Sequence, residues 1–228
     1  LDYIQTKTKH RRLEEPDARH VFAETLKSLS LFNKFGMSHG DISPENIVID
    51  APLEDSAMEL DDDNGHCPVS DDLTTKPCVL IDYGQVVGQN FHPQLQMFEK
   101  LPPRDRMSGK KVFRCPELLT MNGCAHCKGD QPYCPQKVDI WQLGILLIIL
   151  LTGAAPFTPE RNYDENVAFF QWMKFIEKRS IRGMYVPWRT DENPQPLRKT
   201  ELGQTDLSEE VIDLLEWLLS FNPDERPT

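Results

Sequence analysis

The apolar residues change rhythm several times along the chain. Between Asp17 and Phe35, Val21, Phe22, Leu26, Leu29 and Phe32 fall near a 3.6-residue period, which predicts an amphipathic helix closed by Gly36. A polar turn follows, and IVID (Ile47 to Asp50) and CVLIDYG (Cys78 to Gly84) then present two short apolar runs. They predict a small ribbon in which 47–50 pairs with 79–82. Val138 to Leu151 is apolar nearly all round, which predicts a buried central helix stopped at Thr152 and Gly153. Glu165 to Glu177 predicts a further helix. Ser208 to Leu219 predicts an amphipathic one, capped by Ser208 with Glu209 and Glu210 in its first turn. Gln85 to Lys111, Gly123 to Gln136 and Pro187 to Thr205 read as loops, and Pro116 to Met121 as the start of a short helix. Together these describe a mainly α-helical domain carrying one small ribbon.

Composition narrows the function classes. The 228 residues suit one good-sized domain or part of a larger protein. With 25 Lys and Arg against 36 Asp and Glu, the formal charge is −11, which argues against nucleic-acid binding by overall electrostatics. Residues 51–77 are expected to form an acidic, flexible insert, because Pro52 to Asp72 holds eight carboxylates and no Lys or Arg. The longest nearly apolar run, Leu143 to Leu151, falls far short of the roughly 20 residues that span a bilayer, so no membrane partner is expected. Six irregularly spaced cysteines do not resemble a secreted disulfide framework, and an intracellular setting, cytoplasm or nucleus, is expected.

The chemistry concentrates in HGDISPENIVID, from His39 to Asp50. Pairing the two strands brings the turn that carries Asp41 and Asn46 beside Asp82. Magnesium uses such a set, one or two carboxylates and a neutral oxygen completed by substrate phosphates. Asp82 suits the ion that bridges phosphates and Asn46 a second one. Asp41 is then spared to accept a proton from a hydroxyl nucleophile. Gly84 permits a sharp turn after Asp82.

These residues carry a family resemblance. HGDISPEN resembles the catalytic loop of eukaryotic protein kinases, and IDYG their magnesium-binding element. VFRCPELL resembles the segment that closes the activation loop, VDIWQLGILLIILLTGAAPF the central helix of the large lobe, and FNPDERPT the stretch before the last helix. Five motifs in order over nearly the whole chain make the resemblance specific. It implies a protein-kinase-like large (C-terminal) lobe that uses ATP and Mg2+ to phosphorylate Ser or Thr of a protein substrate, with an activation segment over 82–117. By resemblance Asp41 is the catalytic base, Asn46 and Asp82 hold Mg2+, and Val48 lies under the adenine. Glu117 pairs with Arg226, Asp139 receives hydrogen bonds from the backbone around His39, and His39 and Tyr83 belong to an internal stack. No glycine-rich loop or VAIK-like lysine appears, so the small N-terminal lobe is expected elsewhere in the same polypeptide, with the last helix also cut short and the isolated lobe inactive.

Several positions depart from the family pattern. Gly40 stands where an arginine is expected, which removes the usual receiver of an activation-loop phosphate. Ser43 stands where a lysine is expected, and Lys110 where a threonine is. Lysine and hydroxyl have exchanged places, so Lys110 is read as restoring a cation beside the transferred phosphoryl; the alternative is a solvent-facing side chain or one that favours acidic substrates. Tyr83 replaces phenylalanine, and Cys115 a small residue, as a packed thiol. The insert at 122–136 contains CAHCKGDQPYC, in which Cys124, Cys127 and Cys134 form a candidate Zn2+ half-site; a disulfide or free thiols are its alternatives. The rival to an active kinase is a pseudokinase scaffold that binds partners or nucleotide without phosphoryl transfer.

Overall fold

The computed structural model describes residues 12–49, 73–102, 110–119, 131–153, 155–156 and 207–228. Among these residues three helices form the frame: α1 (Glu15–Lys34), α2 (Pro135–Thr152) and α3 (Glu209–Leu218). Six short strands pair antiparallel in three two-stranded sheets: β1 (Met37–Ser38) with β4 (Val87–Gly88), β2 (Ile47–Ile49) with β3 (Cys78–Leu80), and β5 (Phe91–His92) with β6 (Met97–Phe98).

Helix α1 starts two residues before the apolar period, because Pro16 sits in its first turn with Glu15 and Asp17, where a missing N–H and negative charge are both tolerated. Ala18, Val21, Phe22, Thr25 and Leu29 make its buried face. Leu26, which the period placed inward, is 42% exposed; Thr25 is buried instead, its hydroxyl donating to the Val21 carbonyl at 2.8 Å. Gly36 ends the helix at φ 66°, and the ring of Phe98 occupies the space a side chain there would need.

Helix α2 is the core of the molecule. Every residue from Val138 to Thr152 is buried. The helix has the length and composition of a membrane span, 18 residues with mean hydropathy 1.3, yet 89% of it is buried among the other elements, so it is a core helix. The Gly153 N–H donates to the Ile149 carbonyl at 2.8 Å, and the Leu13 N–H satisfies the Leu150 carbonyl at 2.8 Å, so terminal carbonyls of the helix are not left bare. Ser208 caps α3 by accepting from the Val211 N–H at 3.3 Å, and the Ser208 N–H donates to the Glu15 carboxylate at 2.7 Å, which ties α3 to the start of α1.

The ribbon forms with Ile47 opposite Leu80, Val48 opposite Val79 and Ile49 opposite Cys78. Its second strand ends at Leu80, two residues before Asp82, which therefore lies in the turn beyond the strand rather than in it. Alternation sorts the faces: Cys78 and Leu80 point into the core, while Val48 and Val79 are about half exposed on the other side. The stretch 85–111, read as loop, holds β4, β5 and β6; two-residue strands are too short for a period to show. Leu73–Thr75 falls within the stretch 51–77 read as an acidic insert. It is a 3-10 turn whose Leu73, 2% exposed, packs in the core. Residues 50–72, the 165–177 helix, most of the 122–136 insert and the 187–205 loop lie outside the described residues.

Gly144 marks the crossing of α2 and α3. A Cβ there would lie 2.7 Å from both Cγ and Cδ2 of buried Leu219 and 3.2 Å from the Leu218 Cβ. Gly144→Ala is therefore expected to destabilise the protein by about 1–3 kcal/mol in urea unfolding, overpacking outweighing a helix-propensity gain of about 1 kcal/mol.

Candidate active site

The buried first half of α2 is a pedestal for the loop after β1. The Asp139 carboxylate accepts the backbone N–H groups of His39 and Gly40, each at 2.8 Å. One turn further, Gln142 accepts the Ile42 N–H at 2.9 Å and donates to the Gly40 carbonyl at 3.1 Å. The Ser38 hydroxyl donates to the Pro135 carbonyl at 2.9 Å. Gly40 is required here by geometry. Its φ is 81°, and a Cβ would stand 2.9 Å from the Gln85 carbonyl oxygen, so the turn after Asp82 packs directly on its backbone.

On this pedestal Asp41 is held at its backbone and at one carboxylate oxygen. Its N–H donates to His39 Nδ1 at 3.3 Å. The Asn46 amide donates to its carbonyl at 2.7 Å and to Oδ2 at 3.3 Å. Oδ1, shielded from solvent, has no partner among the described residues. The 3-10 turn Pro44–Asn46 places Asn46, with Pro44 pre-setting its first residue. The Ile81 N–H donates to the Asn46 carbonyl at 2.8 Å, which brings Asp82 to within one residue of that turn. Asp82 adopts the left-handed conformation, φ 64° and ψ 76°, uncommon for a residue with a side chain, and its Oδ1 accepts the Gly84 N–H at 3.3 Å.

The donor set fits magnesium. The Asn46 amide nitrogen is committed to Asp41, so its oxygen is the end left for a cation, and the exposed Asp82 keeps one carboxylate oxygen outside its turn. No three His, Cys, Asp or Glu residues cluster as a metal site among the described residues, so water and phosphate oxygens would complete the coordination shell.

His39 is neutral and of one tautomer. Burial pushes its pKa down, against the Ile81 carbonyl and the charges of Asp41 and Asp82. Its Nε2 donates to that carbonyl at 3.1 Å while Nδ1 accepts from Asp41. The Tyr83 ring stacks on Phe32 at 5.6 Å and meets His39 edge-on at 5.7 Å, and its hydroxyl donates to the Leu80 carbonyl at 2.6 Å. Phe32 completes this group of three rings.

Lys110 and Ser43 do meet. The ammonium donates to Ser43 Oγ at 2.9 Å and to the Glu45 carboxylate at 2.7 Å. Burial raises the Glu45 pKa, but the Lys110 hydrogen bond and charge, with the Ser43 hydroxyl and a backbone donor, bring it below the ordinary value. Glu117 and Arg226 form a buried, bidentate pair at 2.7 and 2.8 Å. The same guanidinium donates to the carbonyls of Lys137 and Ser220 and lies 5.0 Å from the Trp141 ring centre. Cys115 is fully buried, and burial first, then the neighbouring Glu117, raises its pKa well above the thiol norm; it is a packed thiol. Val48 is 46% exposed on the outer face of the ribbon. Cys134 is a free thiol before α2, and Cys124 and Cys127 lie outside the described residues.

Sequence reasoning missed Gln142, Glu45 and Phe32 as parts of this site. Gln142 carried a legible signal, an amide three residues after Asp139 in a run otherwise almost wholly apolar. Glu45 and Phe32 carried none, because their partners Lys110 and Tyr83 are distant in sequence.

Two titrations oppose each other at the pedestal. Burial pushes Asp139 up to about 6, against backbone hydrogen bonds from Gly40 and His39 that favour its charge. Its stabilising contribution is complete below the ordinary 3.8 and lost as pH rises through about 6. His39, lowered from 6.5, contributes fully above that value and loses its contribution as pH falls. In chemical unfolding across pH, Asp139→Asn is expected to abolish the decline between 3.8 and about 6, and His39→Gln the loss below 6.5. Asp139→Asn should also cost about 1–3 kcal/mol at neutral pH, because an amide cannot accept both N–H groups as a carboxylate does.

The family description "Protein kinase domain" matches residues 1–228. The chain is 26% identical over 219 residues to sperm motility kinase 3A of Mus musculus, covering 95% of this chain and 29% of that protein. It is 26% identical over 229 residues to NUAK family SNF1-like kinase 2 of Rattus norvegicus, covering 100% of this chain and 25% of the relative. The human protein of that name is 25% identical over 227 residues. The chain thus spans less than a third of the length of these relatives. With the family match running its full length and the ordered motifs gathered around Asp41 and α2, the chain belongs to the protein kinase domain family.

Proposed function

We propose that this chain is the large lobe of a protein serine/threonine kinase, which in the intact protein transfers the ATP γ-phosphoryl group to a hydroxyl of a protein substrate. The observation that carries the reading is the state of Asp41. Hydrogen bonds fix its backbone and one carboxylate oxygen, while Oδ1 is withdrawn from water without a donor among the described residues. An unpaired buried acceptor costs about 1–3 kcal/mol, which an incoming hydroxyl relieves. That hydroxyl then sits where a base can take its proton.

Asn46 and Asp82 would hold Mg2+, whose chemistry is to neutralise charge on the phosphates. Val48 supplies an exposed apolar surface for the adenine. A small lobe from the same polypeptide would close over this face and complete the nucleotide site. Lys110 would place positive charge beside the transferring phosphoryl from the side opposite the usual lysine. The free thiols of Cys78, Cys115 and Cys134 suit a reducing, intracellular setting. The short contact from Glu45 to Lys110 favours one second reading, a pseudokinase scaffold in which the cation is spent on structure.

Radiolabelled phosphate transfer from ATP by the full-length protein, with magnesium and a panel of Ser/Thr- and Tyr-containing protein substrates, tests both. Active kinase predicts label on Ser or Thr that falls about 10²–10⁴-fold in Asp41→Asn. Magnesium-dependent ATP binding with no transfer to any substrate supports the scaffold instead. Lys110→Ala is expected to lower transfer about a hundredfold, with Lys111→Ala changing it little; equal, small effects would discard the cation role.

A further inference from the structure

Two features of the pedestal call for a physical account. The residue before Asp41 is glycine, the residue type with most backbone freedom to lose, at a place where the base needs a fixed backbone. And α2, apolar along nearly all of its buried length, carries a neutral amide at Gln142, 2% exposed. A buried amide is costly unless it is satisfied. Gln142 makes two hydrogen bonds, and both go to one place: Oε1 accepts the Ile42 N–H at 2.9 Å and Nε2 donates to the Gly40 carbonyl at 3.1 Å. That carbonyl belongs to the peptide before Asp41 and that N–H to the peptide after it. One planar amide therefore grips both peptide groups flanking the Asp41 Cα, which restricts the φ and ψ of the single residue between them.

We propose that Gln142 is a positioning residue that fixes Asp41 by clamping its two flanking peptides, supplying the restraint that glycine at position 40 gives up. Asp139, three residues earlier on the same helix face, holds the N–H groups of His39 and Gly40 and leaves the far side of Asp41 open. Gln142 closes that far side. The division of labour is directional: the carboxylate offers only acceptors and can hold only N–H groups, whereas the amide offers both kinds and can seize a carbonyl and an N–H together. Placement of a base to within a fraction of an ångström governs rate more than substrate affinity, so the effect belongs in kcat.

The role of Gln142 in catalysis rests on the phosphotransfer reading; the clamp itself does not. Full-length protein carrying Gln142→Met, which keeps the side-chain length without either polar partner, is compared with wild type in phosphate transfer and in backbone amide hydrogen exchange. The expected result is kcat lowered about tenfold with the KM for ATP unchanged, and exchange at the Ile42 amide about tenfold faster while amides of Leu146 to Leu150 keep their protection. Gln142→Glu supplies a second readout. Once protonated, its acid presents the same acceptor and donor, so its kcat deficit relative to wild type narrows as pH falls. Unchanged Ile42 exchange would overturn the proposal, and so would faster exchange throughout α2, which marks a loss of general stability. A kcat deficit in Gln142→Glu that is constant with pH would overturn the positioning role. Absence of transfer by wild type would overturn the kinase reading alone, and the exchange data would still decide the clamp.

Discussion

Everything in the site hangs from one buried carboxylate. Asp139 sits inside an apolar helix, where an unpaired charge would be expelled, and what makes it tolerable is the pair of backbone N–H groups it receives from His39 and Gly40. The bargain is mutual. The loop gains a fixed anchor, and the helix gains partners for a group it could not otherwise bury. Because α2 is packed on all sides, the anchor cannot drift, and the loop inherits the rigidity of the core. His39 extends that rigidity sideways, its ring bridging from the Asp41 N–H to the Ile81 carbonyl just before Asp82. Asp41 and the residue just before Asp82 are therefore connected through a single imidazole.

The substituted positions make physical sense together rather than singly. Gly40 leaves room for the Gln85 carbonyl, which lets the turn after Asp82 lie flat on the loop. Ser43, short and fully buried, leaves room for the Lys110 ammonium to come in from the neighbouring segment. Glu45 then fixes that ammonium from the other side. In each case a small residue in the loop is matched by a group reaching in from outside it.

The large elements were legible in the sequence because their signals are redundant. Helix α2 announces itself over a long apolar stretch, and α3 has both a period and a cap at Ser208. The ordered motifs marked Asp41, Asn46, Asp82, Asp139, Glu117 and Arg226, and the structure brings together His39 with Asp139, Asn46 with Asp41, Glu117 with Arg226 and Lys110 with Ser43. What could not be read were features with no period and no local partner. Strands β1 and β4 are two residues each and pair across about fifty residues of chain. Leu73 is a lone apolar residue at the edge of an acidic run, and its burial depends on α1 lying beside it. Leu26 shows the converse: its spacing was right, yet a hydroxyl satisfied within its own helix turn took the inward place.

The Glu117–Arg226 pair carries a consequence for how the protein is made. Its two halves lie 109 residues apart, and the guanidinium also binds carbonyls of α2 and of the turn after α3. A ribosome adding about 5–20 residues per second takes roughly 5 to 20 s to cover that distance. Throughout that interval the Glu117 carboxylate has been synthesised without the cation that allows its burial. Glu117 can be buried as a pair only once Arg226 has emerged. The loop that carries Asp41 can join α2 well before then, so the segment around Glu117 docks after the pedestal has formed.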